Sequence, residues 1–209
     1  MTEQLGPYTL ELPLGVFPLG GDSLALSRFA SVRDGQRVCD LGCGGGTLLL
    51  LLAGRARNLS LTGVELDETA ARAAADNLTR NGLAGTIVQV DLRSNPLPAG
   101  QFDLVIANPP YFSVGSGKSG GHARCEEFCS LDELCAAAGR LLKNGGRFAL
   151  CHRPERLCDV LCTLRRHDLE PKRLQLVAHS PAHFPCTLLV EAVRQGRPGL
   201  SVLPTYTQM

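Results

Sequence analysis

The run Asp40-Leu-Gly-Cys-Gly-Gly-Gly46 lies between a short β-type stretch, Arg37–Leu41, and a leucine-rich stretch that reads as a helix over residues 46–55. Glycines at 42, 44 and 46 let the main chain turn sharply from strand into helix and let a ligand approach the backbone. A strand–turn–helix unit of this kind commits the chain to an open sheet that takes its ligand at the carboxyl ends of the strands. A nicotinamide-type GxGxxG read from Gly42 needs glycine at position 47, which is Thr47, so the pattern is D-x-G-x-G-x-G instead.

Beyond that unit, strand patterns at residues 59–64, 86–90, 102–107, 147–151, 173–178 and 186–193 alternate with helical ones. One helix spans residues 68–80 and stops at Asn81 and Gly82, a C-cap signal. Another opens on the capping box from Ser130 to Glu133 and runs to Lys143, and Pro154 suits the first turn of a third. The alternation predicts an α/β, Rossmann-like fold, a mostly parallel sheet with helices on both faces. Residues 1–30 form a lead-in and residues 31–209 a single domain.

A hydrophobic content of 44% with 20% charged residues excludes disorder as the main state. The longest apolar run, residues 48–53, falls far short of the ~20 that a membrane helix needs. No basic segment followed by an apolar block precedes it, so no signal peptide is expected and the cytoplasm is the expected location. The nine cysteines contain no CxxC pair, which predicts buried, reduced thiols and no metal site. The net charge of +1 excludes a strongly basic nucleic-acid binder, yet it hides an asymmetry. Residues 1–112 sum to −3, while residues 113–209 sum to +4 and hold all five histidines.

Two further acids sit where strands end. Glu65 lies 19 residues beyond Gly46, where a carboxylate can accept both hydroxyls of a ribose. Asp91 closes the next strand, where a carboxylate can accept the amino group of an adenine. Together with Asp40 these acids resemble the S-adenosylmethionine-binding motifs of class I methyltransferases. That resemblance implies that Asp40 and the loop Gly42, Cys43, Gly44 and Gly46 hold the methionine part of the cofactor. It assigns the ribose to Glu65, with Leu66 beside it, and the adenine to Asp91 and the backbone of Leu92. It also implies a seven-stranded sheet whose last strand is antiparallel.

The fourth strand, Phe102–Ala107, runs into Asn108, Pro109, Pro110 and Tyr111. Two prolines stiffen the turn and remove two N–H donors, leaving carbonyls free to accept. An exocyclic amino group has a conjugated lone pair and is a poor nucleophile. The Asn108 side-chain oxygen and the Pro109 carbonyl can bind both of its hydrogens and favour a tetrahedral nitrogen. Tyr111 offers a flat face to a planar substrate, as an extruded base requires. This NPPY run resembles the signature of amino-group N-methyltransferases of the adenine-N6, guanine-N2 and glutamine-N5 types, and so implies the atom class; the same resemblance places Asn108 beside the cofactor.

Residues 17–26, 122–126, 153–157 and 199–204 together resemble the bacterial tRNA1(Val) (adenine(37)-N6)-methyltransferase family over nearly the whole chain. Glutamine-N5 enzymes usually carry a helical domain ahead of the glycine loop, where this sequence has 39 residues before Asp40, so that type is not the first expectation; nor is a duplicated or RNA-binding domain of the ribosomal guanine-N2 kind visible. The chain departs from the family at Cys125 and in the stretch His183, Phe184 and Pro185. The resemblance implies a tRNA partner, with Lys118, His122, Arg124 and Arg153 as candidate RNA contacts. Arg165, Arg166 and His167 close a helix, where cations also complement the dipole. The alternatives are a protein glutamine-N5 or ribosomal guanine-N2 methyltransferase, or a non-catalytic cofactor-binding RNA partner, which would be expected to have lost NPPY.

Overall fold

The computed structural model describes residues 1–109 and 129–207. Strands β1 (Thr2–Leu5) and β2 (Tyr8–Glu11) form a hairpin and α1 (Gly21–Phe29) follows. Next come β3 (Arg37–Leu41), α2 (Thr47–Ala53), β4 (Ser60–Glu65), α3 (Glu68–Arg80), β5 (Gly85–Gln89) and β6 (Phe102–Ala107). After residue 128 the chain forms α4 (Leu131–Leu141), β7 (Leu142–His152), α5 (Leu157–Arg166), β8 (Leu169–Ala178) and β9 (Thr187–Arg194). Two short strands, β10 (Ser201–Val202) and β11 (Tyr206–Thr207), end the described chain.

The main sheet runs β8-β9-β7-β6-β3-β4-β5, with β9 antiparallel to both neighbours and the other pairings parallel. These are the seven strands expected from the sequence. Among the described residues the sheet has nine, because β10 and β11 both pair in parallel with β8. Covering that edge removes a row of unpaired backbone groups that invites association.

Strand alternation divides the core between two faces. Val38, Leu104 and Ile106 pack with Leu26 and Phe29 of α1, Leu49 and Leu50 of α2, and Leu78 of α3. Cys39, Leu41, Val105 and Ala107 pack on the other face with Leu134 and Leu141 of α4 and Val160 and Leu164 of α5. The lead-in belongs to the first of these layers through Leu10, Leu12, Leu26 and Phe29. Asn77 of α3 and Asn81, the residue that caps its end, hold the lead-in by pairing their amides with the backbone of Glu11 and Thr9 at 2.8–2.9 Å.

Several boundaries differ from the sequence reading for tertiary reasons. The helix expected to reach Lys143 ends at Leu141, because Leu142 already pairs with Phe102 in the sheet. Strand β8 begins at Leu169 rather than 173 and passes through Pro171, where a register shift absorbs the missing N–H donor. Cys39, Cys43, Cys135 and Cys151 are buried, but Cys158, Cys162 and Cys186 are exposed, on the outer side of α5 and just ahead of β9. Among the described residues no helix is long and apolar enough to cross a membrane.

Candidate functional site

The glycine loop leaves β3 and enters α2 with Gly44 and Gly46 at φ of 53° and 85°, which side chains rarely adopt. A Cβ on Gly46 would also lie 3.3 Å from that of Ala74, so glycine lets α3 approach the loop. The Gly42 and Cys43 N–H groups both donate to the Val64 carbonyl, which fixes the loop to β4. Asn77 donates to the Gly45 carbonyl at 2.9 Å.

Asp40, on β3 beside this loop, is 1% exposed. Neither of its carboxylate oxygens has a hydrogen-bond partner among the described residues. Burial, with the Glu65 charge adding to it, pushes the Asp40 carboxyl well above the usual carboxylate range. A buried carboxylate without a partner costs several kcal/mol, roughly, unless a cation completes it. The site therefore fits a ligand bearing an ammonium group, as S-adenosylmethionine does.

Glu65 is already engaged. Its carboxylate accepts from Gly44 N at 2.7 Å, Leu66 N at 2.8 Å and Asp67 N at 2.9 Å. It thus ties the glycine loop to the turn into α3, and one lone pair of roughly four remains for a hydroxyl. Leu66 is half exposed beside it. Asp91 is engaged differently. Both of its oxygens meet the Arg93 guanidinium at 2.5–3.0 Å, and Oδ1 also accepts the Arg93 N–H at 2.9 Å. The Arg93 hydrogen bonds hold the Asp91 carboxyl below its ordinary value. Leu92 follows at the start of a single 3-10 turn.

These settings separate the two carboxylates by consequence. Glu65→Ala should lower both cofactor affinity and melting temperature, because three backbone donors lose their acceptor. Asp91→Ala should lower affinity with little change in melting temperature, since its ion pair is surface-exposed. Calorimetric titration with S-adenosylmethionine alongside thermal melts checks both, and wild-type affinity in either variant refutes the assignment.

Asn108 lies just past β6, next to β3 in the sheet. Its Nδ2 donates to Ser23 Oγ of α1 at 3.0 Å, and its Oδ1 accepts from the Cys151 thiol of β7 at 2.7 Å. Neither partner was among the residues expected from the sequence. Ser23 is 85 residues away, in the stretch read from the sequence as a lead-in, and Cys151 reads as a core thiol. Pro109 follows Asn108, while Pro110, Tyr111, Lys118, His122 and Arg124 lie outside the described residues. Arg153 stands just beyond β7, parallel to β6, so it shares the sheet edge with Asn108. Arg165, Arg166 and His167 lie at the opposite edge, where they pair with Glu170 and Asp132.

His152, the last residue of β7, is buried, and its Nδ1 accepts the Arg153 N–H at 2.8 Å. Burial first, and then the Arg156 charge, push its pKa down to about 4. The folded value lies below the unfolded one. Its contribution to stability is therefore complete above the ordinary histidine range and lost as pH falls toward 4, by about 1–3 kcal/mol. Urea midpoints at pH 7 and 4.5 should converge for His152→Asn relative to wild type, and a parallel loss in both proteins would refute this.

A family model of the methyltransferase small domain matches residues 20–161. The tRNA1(Val) (adenine(37)-N6)-methyltransferase of Aeromonas hydrophila is 32% identical over 155 residues, 72% of this chain and 66% of that relative. The enzyme of the same name from Serratia proteamaculans is 34% identical over 142 residues, 63% of this chain and 54% of that relative. The chain thus spans between half and two thirds of the length of these curated relatives. The solved structure of a predicted O-methyltransferase from Agrobacterium tumefaciens superposes with a TM-score of 0.73 at 20% identity, over 89% of this chain and 86% of that one. The likeness shows the fold of class I methyltransferases.

Proposed function

The chain belongs to the methyltransferase small domain family, and from that membership we propose that it uses S-adenosylmethionine to methylate the N6 amino group of an adenine in tRNA, at an anticodon-loop position of a valine-type tRNA. One observation carries the reading: the Asp40 carboxylate on β3, without a partner among the described residues, and the Asn108 amide just past the adjacent strand β6 stand at one sheet edge. The first fits the ammonium group of the cofactor and the second fits the amino group of the acceptor.

When bound, the cofactor supplies an electrophilic methyl group. Asn108 Oδ1 then accepts one hydrogen of the adenine amino group, and the Pro109 carbonyl accepts the other. Both contacts draw the nitrogen toward tetrahedral geometry and turn its lone pair out of the ring. Holding the reactants in line supplies much of the rate, up to ~7–11 kcal/mol in ideal intramolecular cases. The amino proton leaves after transfer, so no strong base is required. Tyr111 stacks on the extruded base, and Lys118, His122, Arg124 and Arg153 contact phosphates around it. Such a substrate places the enzyme in the cytoplasm.

Methyl transfer from labelled cofactor to bulk tRNA, ribosomal RNA and release factor tests the proposal, with nucleoside digestion of the product. Label in N6-methyladenosine of tRNA is the expected result. Label in guanosine or in protein glutamine instead would overturn it. The variants Lys118→Ala and Arg124→Ala should weaken tRNA binding and each flatten its salt dependence by about 0.7–0.9 in log–log slope. Unchanged slopes in both would move the RNA surface elsewhere.

A further inference from the structure

We propose that Ser23 and Cys151 are positioning residues that clamp the Asn108 amide with its oxygen turned to the acceptor nitrogen. The inference rests on the function proposed above. An asparagine amide has two ends alike in shape that differ only in hydrogen-bonding sense. Presented oxygen first, it accepts from a substrate amino group. Flipped, it sets two donors against two donors. The chain must therefore decide the orientation before the substrate arrives.

The surroundings decide it by chemistry. Ser23 Oγ can donate or accept and tolerates either end of the amide. A thiol is a donor and only a weak acceptor. Cys151 is fully buried, and burial, with the Asp22 charge adding to it, pushes its thiol well above the ordinary value, so it stays protonated at neutral pH. A protonated thiol 2.7 Å from the amide selects the oxygen end. The nitrogen then faces Ser23 at 3.0 Å. The oxygen keeps one lone pair for the substrate.

The clamp also explains where α1 sits. Asp22, beside Ser23, accepts from the Thr187 hydroxyl at 2.6 Å. Thr187 begins β9, Cys151 lies near the end of β7 and Asn108 follows β6, so the start of α1 crosses the tips of three adjacent strands. A segment that reads as a lead-in thus reaches the reacting group.

The test compares Cys151→Ala, Cys151→Ser and Ser23→Ala. Cys151→Ala should lower kcat about tenfold, as loss of one hydrogen bond would, with KM for tRNA and cofactor affinity unchanged. Cys151→Ser restores a donor without restoring the sulfur volume, so it should recover most of the rate. Were the cysteine only a packing residue, serine would be no better than alanine, and that result overturns the proposal. Ser23→Ala, on another element, should lower kcat less, and a wild-type rate there removes Ser23 from the clamp.

A second readout needs no substrate. The Asn108 side-chain amide, identified in a nitrogen–proton correlation spectrum by its loss in Asn108→Asp, should hold a dispersed shift in wild type and Cys151→Ser. It should move toward the free-amide position in Cys151→Ala, and an unmoved signal overturns the clamp. If wild-type protein failed to methylate tRNA, the proposed function would fall while these spectra still decided the clamp.

Discussion

Replacing Asp40 with asparagine is expected to stabilise the cofactor-free protein while weakening S-adenosylmethionine binding about 10- to 100-fold. Both effects follow from one fact, a buried carboxylate whose two oxygens have no partner among the described residues. An amide of the same shape has no charge to desolvate, so the free protein gains about 1–3 kcal/mol. In a chain of this size each kcal/mol raises Tm by roughly 2–4 °C. The bound state loses a charge-assisted contact to the ligand ammonium, which accounts for the fall in affinity.

The pH dependence has a definite sign. The folded Asp40 carboxyl lies above the usual carboxylate range. Its protonated form is therefore favoured by folding, and stability from this group is full at low pH and lost as pH rises through that window. The gap in Tm between Asp40→Asn and wild type should widen from pH 4 toward neutrality. His152 slopes the opposite way, which is why the comparison is made between variants rather than along one curve. Thermal melts across this range, with calorimetric titrations at pH 7.5, check both arms. Wild-type affinity in Asp40→Asn would remove this carboxylate from the cofactor site.

The sequence carried the parts of this site that are local. Asp40, Glu65 and Asp91 could be placed at strand ends because each strand is a short apolar run with a polar stop, and the register of a parallel sheet aligns those stops on one edge. What each carboxylate does there was not legible. Glu65 is spent on three backbone donors and Asp91 on Arg93, while Asp40 has no partner among the described residues. Nothing in a residue's spacing distinguishes these cases, because the deciding partners are set by how the turns fold back. The lead-in was illegible for a related reason. Strands β1 and β2 are four residues each, with too few periods for a pattern, and their hold on α3 comes from Asn77 and Asn81, which read as an ordinary polar helix end. Ser23 and Cys151 are the extreme case, since they meet Asn108 only through the order of β7, β6 and the crossing of α1.

Asn108→Ala is expected to lower single-turnover methyl transfer about 100- to 1,000-fold, comparable to removing one preorganised contact to developing charge. Cofactor affinity should stay near the wild-type value, because the groups that fit the cofactor lie on β3, β4 and after β5 rather than on β6. In the proposed mechanism the amide oxygen is the acceptor that would hold the substrate nitrogen in a reactive geometry, and alanine offers nothing in its place. Alanine also strands the Ser23 hydroxyl and the Cys151 thiol without their shared partner, at a cost of about 1–3 kcal/mol in stability. The assay is therefore run well below the melting temperature of the variant. Rapid-quench measurement with enzyme in excess separates the chemical step from product release. A normal cofactor isotherm with a slow chemical step is the result the geometry demands. A near wild-type rate would mean that the acceptor nitrogen is held by other groups, and Asn108 would then be a structural link between α1 and β7.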